Sequence, residues 1–336
     1  MRLWEARAAK RMFVLLAIVV ALVIACWLVM VRMPGRSFRG PLPPLTDAQR
    51  SASEALRRDV HKLAVEIGHR NVYRPAGYRA AAEFIENSLR EAGLPVNRQT
   101  FAANGESCVN LVAEVHGSTR AAELVLVGAH YDSVLGSPAA NDNGSGVAAL
   151  LALARTFAAS QPTRKLRFVA FANEEPPFFK TDQMGSLVYA RQCRGRGDNI
   201  VAMLSLETIG FYSDAPGSQQ YPFPIGLFYP SRGNFIGFVG KTSQAGLVRQ
   251  CVAMFRRHAQ FPSEGAALPA CIPGIDWSDH WAFWQADYTA LMVTDTAPFR
   301  YRHYHTDEDT PDKLDYDRTA RVVAGLEKVI GELANP

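Results

Sequence analysis

Three apolar runs of strand length each end on an acidic or imidazole residue. LVLVGAHYDS ends at His130 with Asp132 two positions on, LRFVAFANEE ends at Glu174 and Glu175, and VAMLSLETIG ends at Glu207. Continuous apolar runs of this kind suit strands buried on both faces. Helical patterns separate them: an Ala/Leu-rich stretch from Gly144 to Ala158, and another from Met184 to Gln192. Strand–helix alternation predicts an α/β domain with a mostly parallel, mixed central sheet flanked by helices. Upstream, residues 46–94 carry apolar stripes three and four apart (Leu56, Val60, Leu63, Ile67; then Ala80 to Leu89), closed by Gly93 and Pro95. Residues 110–115 and 289–294 read as further strands, and residues 243–258 and 316–333 as further helices. Residues 211–240, rich in Gly, Pro, Tyr and Phe, read as long loops.

No repeat or second linker divides this part, so residues 46–336 form one domain in the simplest account. Ahead of it, residues 12–31 run MFVLLAIVVALVIACWLVMV without a charge. As a helix at ~1.5 Å per residue that run spans ~30 Å, the thickness of a bilayer core. It is longer than the apolar region of a cleavable signal peptide. Val23-Ile24-Ala25-Cys26 resembles a lipoprotein processing box, but Trp27 to Val31 would leave an apolar start to the mature chain.

The formal net charge of +4 is concentrated here. Residues 1–39 hold Arg2, Arg7, Lys10, Arg11, Arg32, Arg36 and Arg39 against Glu5 alone, which leaves the body slightly acidic and without a nucleic-acid signature. Four basic residues precede the apolar run (a basic flank, residues 1–11) and three follow it. The positive-inside tendency then places the body outside the cytoplasm, membrane-anchored, on the periplasmic or extracellular side. Residues 32–45, Pro/Gly-rich, read as a linker polar enough for a tether. Cys108, Cys193, Cys251 and Cys271 are widely spaced and fit either two disulfides or buried thiols.

In open α/β sheets, ligands bind beyond the carboxyl ends of the strands. His130, Glu174, Glu175 and Glu207 fall there. AANDNGSG adds Asp142 just before a helix, and RYRHYHTDEDTPDKLD adds His303 and His305. Each alone has an ordinary reading as a loop or cap residue. Gly144-Ser145-Gly146 lacks the spacing of a phosphate loop, and there is no GxSxG elbow. Carboxylates and imidazoles at successive strand ends are instead metal-type ligands.

The order GAHYDS, NDNGSG, NEE, a strand ending in an acid followed by IG, SDHWAFW and YHTDEDTPDKLD resembles the M28 family of zinc peptidases over roughly residues 105–330. The resemblance implies a zinc-exopeptidase-like fold and two Zn2+ ions, other divalent metals being alternatives. His130 and Glu207 would hold one ion, Glu175 and His305 the other, with Asp142 bridging. Glu174 would be the general base, Asp132 would orient His130, and Tyr304 would help stabilise the oxyanion. Many aminopeptidases of the family carry Asp where this chain has Glu207, which bears on metal spacing and substrate preference. Asp279 and His280 would line or brace the pocket, and His303 would be a surface or rim residue. Trp277, Trp281, Phe283 and Trp284 could form an apolar subsite.

The activity implied is hydrolysis of peptide substrates, most simply removal of N-terminal residues. Carboxypeptidase or dipeptidase action stays open, as does the oligomeric state. A glutaminyl-cyclase-type acyltransferase with one working zinc and a non-catalytic binding ectodomain are the alternatives on the same scaffold.

Overall fold

A computed structural model describes residues 2–336, with side chains from Lys10 onward; those of Arg2, Glu5 and Arg7 lie outside the described residues. The chain begins with helix α1 (Arg2–Met30), whose apolar window Lys10–Met30 is long enough to cross a membrane and has none of its residues buried. Helix α2 (Asp47–His61) starts at a capping box, with Thr46 accepting from the Gln49 amide. It widens over Lys62–Ile67, and after a break at residues 68–74 helix α3 (Pro75–Glu91) follows, so the long helical pattern is two helices.

The body is one mixed sheet of eight strands: β1 (Val96–Ala103), β2 (Glu106–Val115), β3 (Arg120–His130), β4 (Arg164–Phe171), β5 (Asn199–Glu207), β6 (Ile236–Lys241), β7 (Ser263–Leu268) and β8 (Ala290–Thr294), in the spatial order β1-β2-β4-β3-β5-β8-β6-β7. The central strands β4, β3, β5 and β8 run parallel, and antiparallel pairs flank them. The remaining helices are α4 (Gly146–Phe157), α5 (Gly185–Arg196), α6 (Ala245–His258), α7 (His280–Gln285) and α8 (Tyr316–Ala334).

The pleat divides the core between the two faces of the sheet. Val125, Val127 and Ala129 of β3 join a cluster with residues of α2, α3, α4, α6 and α8, whereas Leu124 and Leu126 join one with α5 and α7. Both faces are covered, which is why the central strands carry unbroken apolar runs.

The structure corrects several expectations. β6 lies inside the stretch read as loop, and β1 and β7 carried no apolar run. The linker is no free tether: Met33 is buried, Leu42 packs on the core, and Arg321 donates to the Pro43 carbonyl. Of the two readings open for the cysteines, that of buried thiols fits Cys108, Cys193 and Cys251, while Cys271 is exposed and unpaired.

Phe238 on β6 is fully buried and meets Phe255 of α6 edge-on, with ring centroids 5.4 Å apart. Phe238→Ala removes a packed ring that the sheet cannot collapse to replace. Its cost should be ~3–5 kcal/mol, read as a lowered denaturation midpoint with an unchanged slope.

Candidate metal centre

The parallel register brings the strand ends into one row. His130 pairs with Phe171 across β3 and β4, Gly128 with Ser205 across β3 and β5, and Glu207 with Thr294 across β5 and β8. His130, Glu174–Glu175 and Glu207 therefore leave the same edge of the sheet. Residues 140–145 form the turn into α4, and Asp142 on it reaches the middle of that row.

Two groups result, His130–Asp142–Glu207 and Asp142–Glu175–His305, and within each the donor atoms lie within 4.8 Å of one another. Asp142 belongs to both. Its Oδ1 is 3.4 Å from His130 Nε2, and its Oδ2 is 2.9 Å from His305 Nε2. Glu207 Oε2 is 3.3 Å from His130 Nε2, and Glu175 Oε2 is 3.3 Å from His305 Nε2. Glu174 Oε2 stands farther off, 3.9 Å from His130 Nε2.

Surrounding groups fix each donor. Asp132 accepts from the amides of Glu174 and Glu175 at 3.0 Å each, and its Oδ1 faces His130 Nδ1 at 3.4 Å. One carboxylate thus sets both glutamates and the first imidazole. Ser278 Oγ donates to Glu207 Oε2 at 2.9 Å. Asn143 donates to the Leu206 carbonyl and accepts from the Gly146 and Thr208 amides, tying the turn to the end of β5. A Cβ at Gly146 would fall 2.2 Å from Asn143 Oδ1 and 2.6 Å from the Leu206 carbonyl, so the turn requires glycine there. Asn173, Thr208 and His305 hold positive φ. Strain of ~1–3 kcal/mol per residue is typical where a fold over-determines a functional site.

The electrostatics are those of a cation site. Burial pushes Glu174 and Glu207 up, and it lifts Glu175 to about 8. Burial also works against charge on Asp142, yet the His130 and His305 imidazoles hold it below the usual carboxylate range. His305, opposed by burial but drawn by Asp142 and Glu175, is pushed up to about 10. Among the described residues, His130 Nδ1 and Nε2, Asp142 Oδ2, Glu175 Oε1 and His305 Nε2 are buried without a hydrogen-bond partner. Oxygen and imidazole donors with unused lone pairs, converging from two sides on one shared carboxylate, fit zinc.

Other residues divide between site and core. Tyr304 stacks on the His305 ring, with centroids 3.9 Å apart, and lines an adjoining apolar pocket of ≈ 800 Å³ empty volume together with Glu207 and Trp277. Trp277 is the member of the aromatic cluster that reaches this pocket. Phe283 and Trp284 are buried in the core, and Trp281 packs against it. Asp279 is fully buried and lifted by burial to about 7. His280 faces the Ile275 carbonyl and the Trp284 ring, inside the core. His303 is no rim residue: it is buried, 2.7 Å from Glu308 Oε2 and edge-on to Tyr301.

Four supporting residues escaped the sequence. Asp309 accepts from the Asn141 and Asp142 amides and from the Tyr301 hydroxyl. Asp295 accepts from Asn141 and the Phe211 amide. Arg70, fully buried, donates to the carbonyls of Leu63, Gly68, Tyr131, Pro138 and Ala139. Arg300 braces the pocket wall through the Gly233 and Phe235 carbonyls and Gln219. The strand-end position of Asp295 was a usable signal; the other three had none.

The family model of peptidase family M28 matches residues 110–330. The chain belongs to peptidase family M28. Protein YfbL of Escherichia coli (strain K12), described as uncharacterized, is 38% identical over 84% of this chain and 89% of its own length. A probable leucine aminopeptidase of Trichophyton verrucosum is 25% identical over 84% of this chain and 74% of its own length. Among solved structures, a zinc aminopeptidase from Bacillus subtilis shares the M28 fold with a TM-score of 0.68 and 16% identity, covering 84% of this chain and 95% of that one. A glutaminyl cyclase from Fimbriiglobus ruber does so with a TM-score of 0.62 and 19% identity, covering 89% and 99%. The chain is accordingly a zinc-dependent M28 metallopeptidase acting on peptide substrates.

Asp132→Ala removes the acceptor of two backbone amides and the partner of His130 at once. Zinc affinity should fall ~10–100-fold, measured by competition with a chromophoric chelator.

Proposed function

We propose that this chain is a membrane-anchored aminopeptidase with a dinuclear zinc site. The carrying observation is the shared carboxylate: Asp142 turns one oxygen to each of two complete donor groups. In this reading His130 and Glu207 hold one ion, Glu175 and His305 the other, and Asp142 both. Bound zinc supplies a Lewis acid for the scissile carbonyl and lowers the pKa of water.

The chain's own residues do the rest. Glu174 stands apart from both donor groups and keeps a carboxylate free at the edge of the site. It takes the proton of the attacking water at its Oε and passes it to the leaving amine. Asp132 holds Glu174 in place through the Glu174 amide and keeps the His130 ring in one tautomer. Tyr304, stacked on His305, offers its hydroxyl toward the oxyanion, and burial keeps that hydroxyl protonated.

Charge favours the free amino end of a substrate over its carboxyl end. The adjoining pocket has no Lys or Arg among its described lining residues; of its two acids, Glu207 belongs to a donor group and Glu264 lies 3.5 Å from Arg256. A carboxypeptidase needs a cation there for the terminal carboxylate. The apolar remainder of the pocket suits a large apolar side chain next to the free amine. Helix α1, apolar and uncovered by the domain, crosses the bilayer and leaves the body on the extracytoplasmic side.

The test combines metal counting with a substrate panel. Purified full-length chain should bind two zinc ions and cleave aminoacyl amides and peptides with a free amine, but not their N-acetyl forms. One ion per chain with ammonia release from N-terminal Gln peptides would establish the cyclase alternative. Glu174→Gln should lower kcat by ~10²–10⁴ or more with both metals retained. Asp142→Ala should lose metal outright.

A further inference from the structure

Beyond α1, the structure assigns a second membrane contact to the loop of residues 221–229. This inference rests on the reading of α1 as a bilayer anchor. Its starting point is how firmly the end of α1 is fixed to the domain. Arg249 of α6 donates to the carbonyls of Leu28 (3.2 Å) and Arg32, at the carbonyl end of α1. Arg256 donates to the Pro34 carbonyl at 3.1 Å, and the Ser263 amide donates to Ser37 Oγ at 2.9 Å. Met33 is buried against Gly265 of β7. A helix end held this closely sets which face of the domain meets the bilayer, namely the β7 edge of the sheet.

The 221–229 loop lies on that same edge. Tyr229 donates its hydroxyl to the carbonyl of Gly265, the residue that Met33 touches. Ile225 and Met30 pack against the same apolar cluster. The loop has two faces. Tyr221, Pro222, Ile225 and Tyr229 line the apolar pocket. Phe223, Leu227 and Phe228 turn away from it and are 92%, 75% and 45% exposed. Phe223 and Leu227 are mostly exposed and Phe228 nearly half, and their position beside the anchor gives this apolar patch a partner. Seated in the interfacial layer, they continue the anchored surface, while exposed Arg32 at the end of α1 is placed for anionic headgroups. The pocket would then open beside the lipid surface, and peptides held at that surface would be its preferred substrates.

The experiment uses full-length chain reconstituted in phosphatidylcholine–phosphatidylglycerol vesicles that contain a phospholipid with a photoreactive acyl chain. Labelled peptides are mapped after illumination. Labelling of both α1 and residues 221–229, with loss of only the loop label in the Phe223→Ser/Leu227→Ser/Phe228→Ser variant, is the expected result. That variant should keep its turnover of soluble dipeptide amides and lose turnover of a lipid-tethered peptide, which separates loss of contact from misfolding. Label on α1 alone overturns the inference and leaves the anchor intact. Label on neither overturns both. An unlabelled loop in a chain that runs as a dimer, and as a monomer once substituted, would assign the patch to a second copy instead.

Discussion

Asp142 is the constraint around which the centre is built. A carboxylate can serve two positions only if its oxygens are aimed apart and its backbone cannot turn. Both conditions are met by groups distant in sequence. Asp309 takes the amides of Asn141 and Asp142, Asn143 ties the turn to β5, and Ser145 links Asn141 to the Ile209 amide. Arg70 closes the loop from the other side through the Pro138 and Ala139 carbonyls. None of these touches the donor atoms. Together they fix the shared carboxylate between His130 and His305, and the two donor groups exist only because it is fixed.

The charge in this centre explains why that scaffold must be so heavily braced. Carboxylates buried side by side repel, and burial raises the free energy of each charge. Glu175 at about 8 and Asp279 at about 7 register that cost. Dications relieve it, so metal binding and stability of the site are one equilibrium. Asp132 shows how the chain limits the cost before metal arrives. It accepts two backbone amides, and it places Glu174 and Glu175 side by side with one inside a donor group and the other outside.

The strand ends were legible in the sequence because chemistry and topology coincide there. Apolar runs in the central strands announce a sheet covered on both faces, and the residues at their ends must then share an edge. That ground brings His130, Glu174, Glu175 and Glu207 together; Asp142 and His305 join them, and the ligand set is drawn, through the motif order that resembles the M28 family. The periphery was not legible. β1 alternates exposed and half-buried positions, β6 carries two glycines, and β7 reads SEGAAL, so none shows the pattern of a buried strand. Asp309, Arg70 and Arg300 act through backbone groups far away in sequence, and no local pattern encodes such contacts. His303 reads as a surface or rim residue because the family's pattern assigns the ligand to His305, but it is buried beside Glu308 and Tyr301. The Pro/Gly-rich stretch after α1 had the composition of a tether, yet the carbonyls of Pro34 and Pro43 accept from Arg256 and Arg321, side chains far away in sequence.

That last contact changes what anchoring means for this molecule. A flexible linker would let the catalytic domain sample all orientations above a bilayer, and the direction of its pocket would carry no information. Here the strap of residues 33–45 lies on the domain, and Met33 is buried at the strand whose neighbouring residues line the pocket. The same strand, β7, therefore supplies an anchor point on its outer edge and pocket wall beside it. Glu264, Gly265 and Ala266 belong to that wall, and burial holds the Glu264 carboxyl above its usual range despite the nearby Arg256. In the proposed reading, a charge in such a wall and a membrane against its edge would act on the same substrate end. In the proposed aminopeptidase reading, an amine approaching along an anionic lipid surface would meet the acidic metal centre first, and the peptide would enter with its amino end leading.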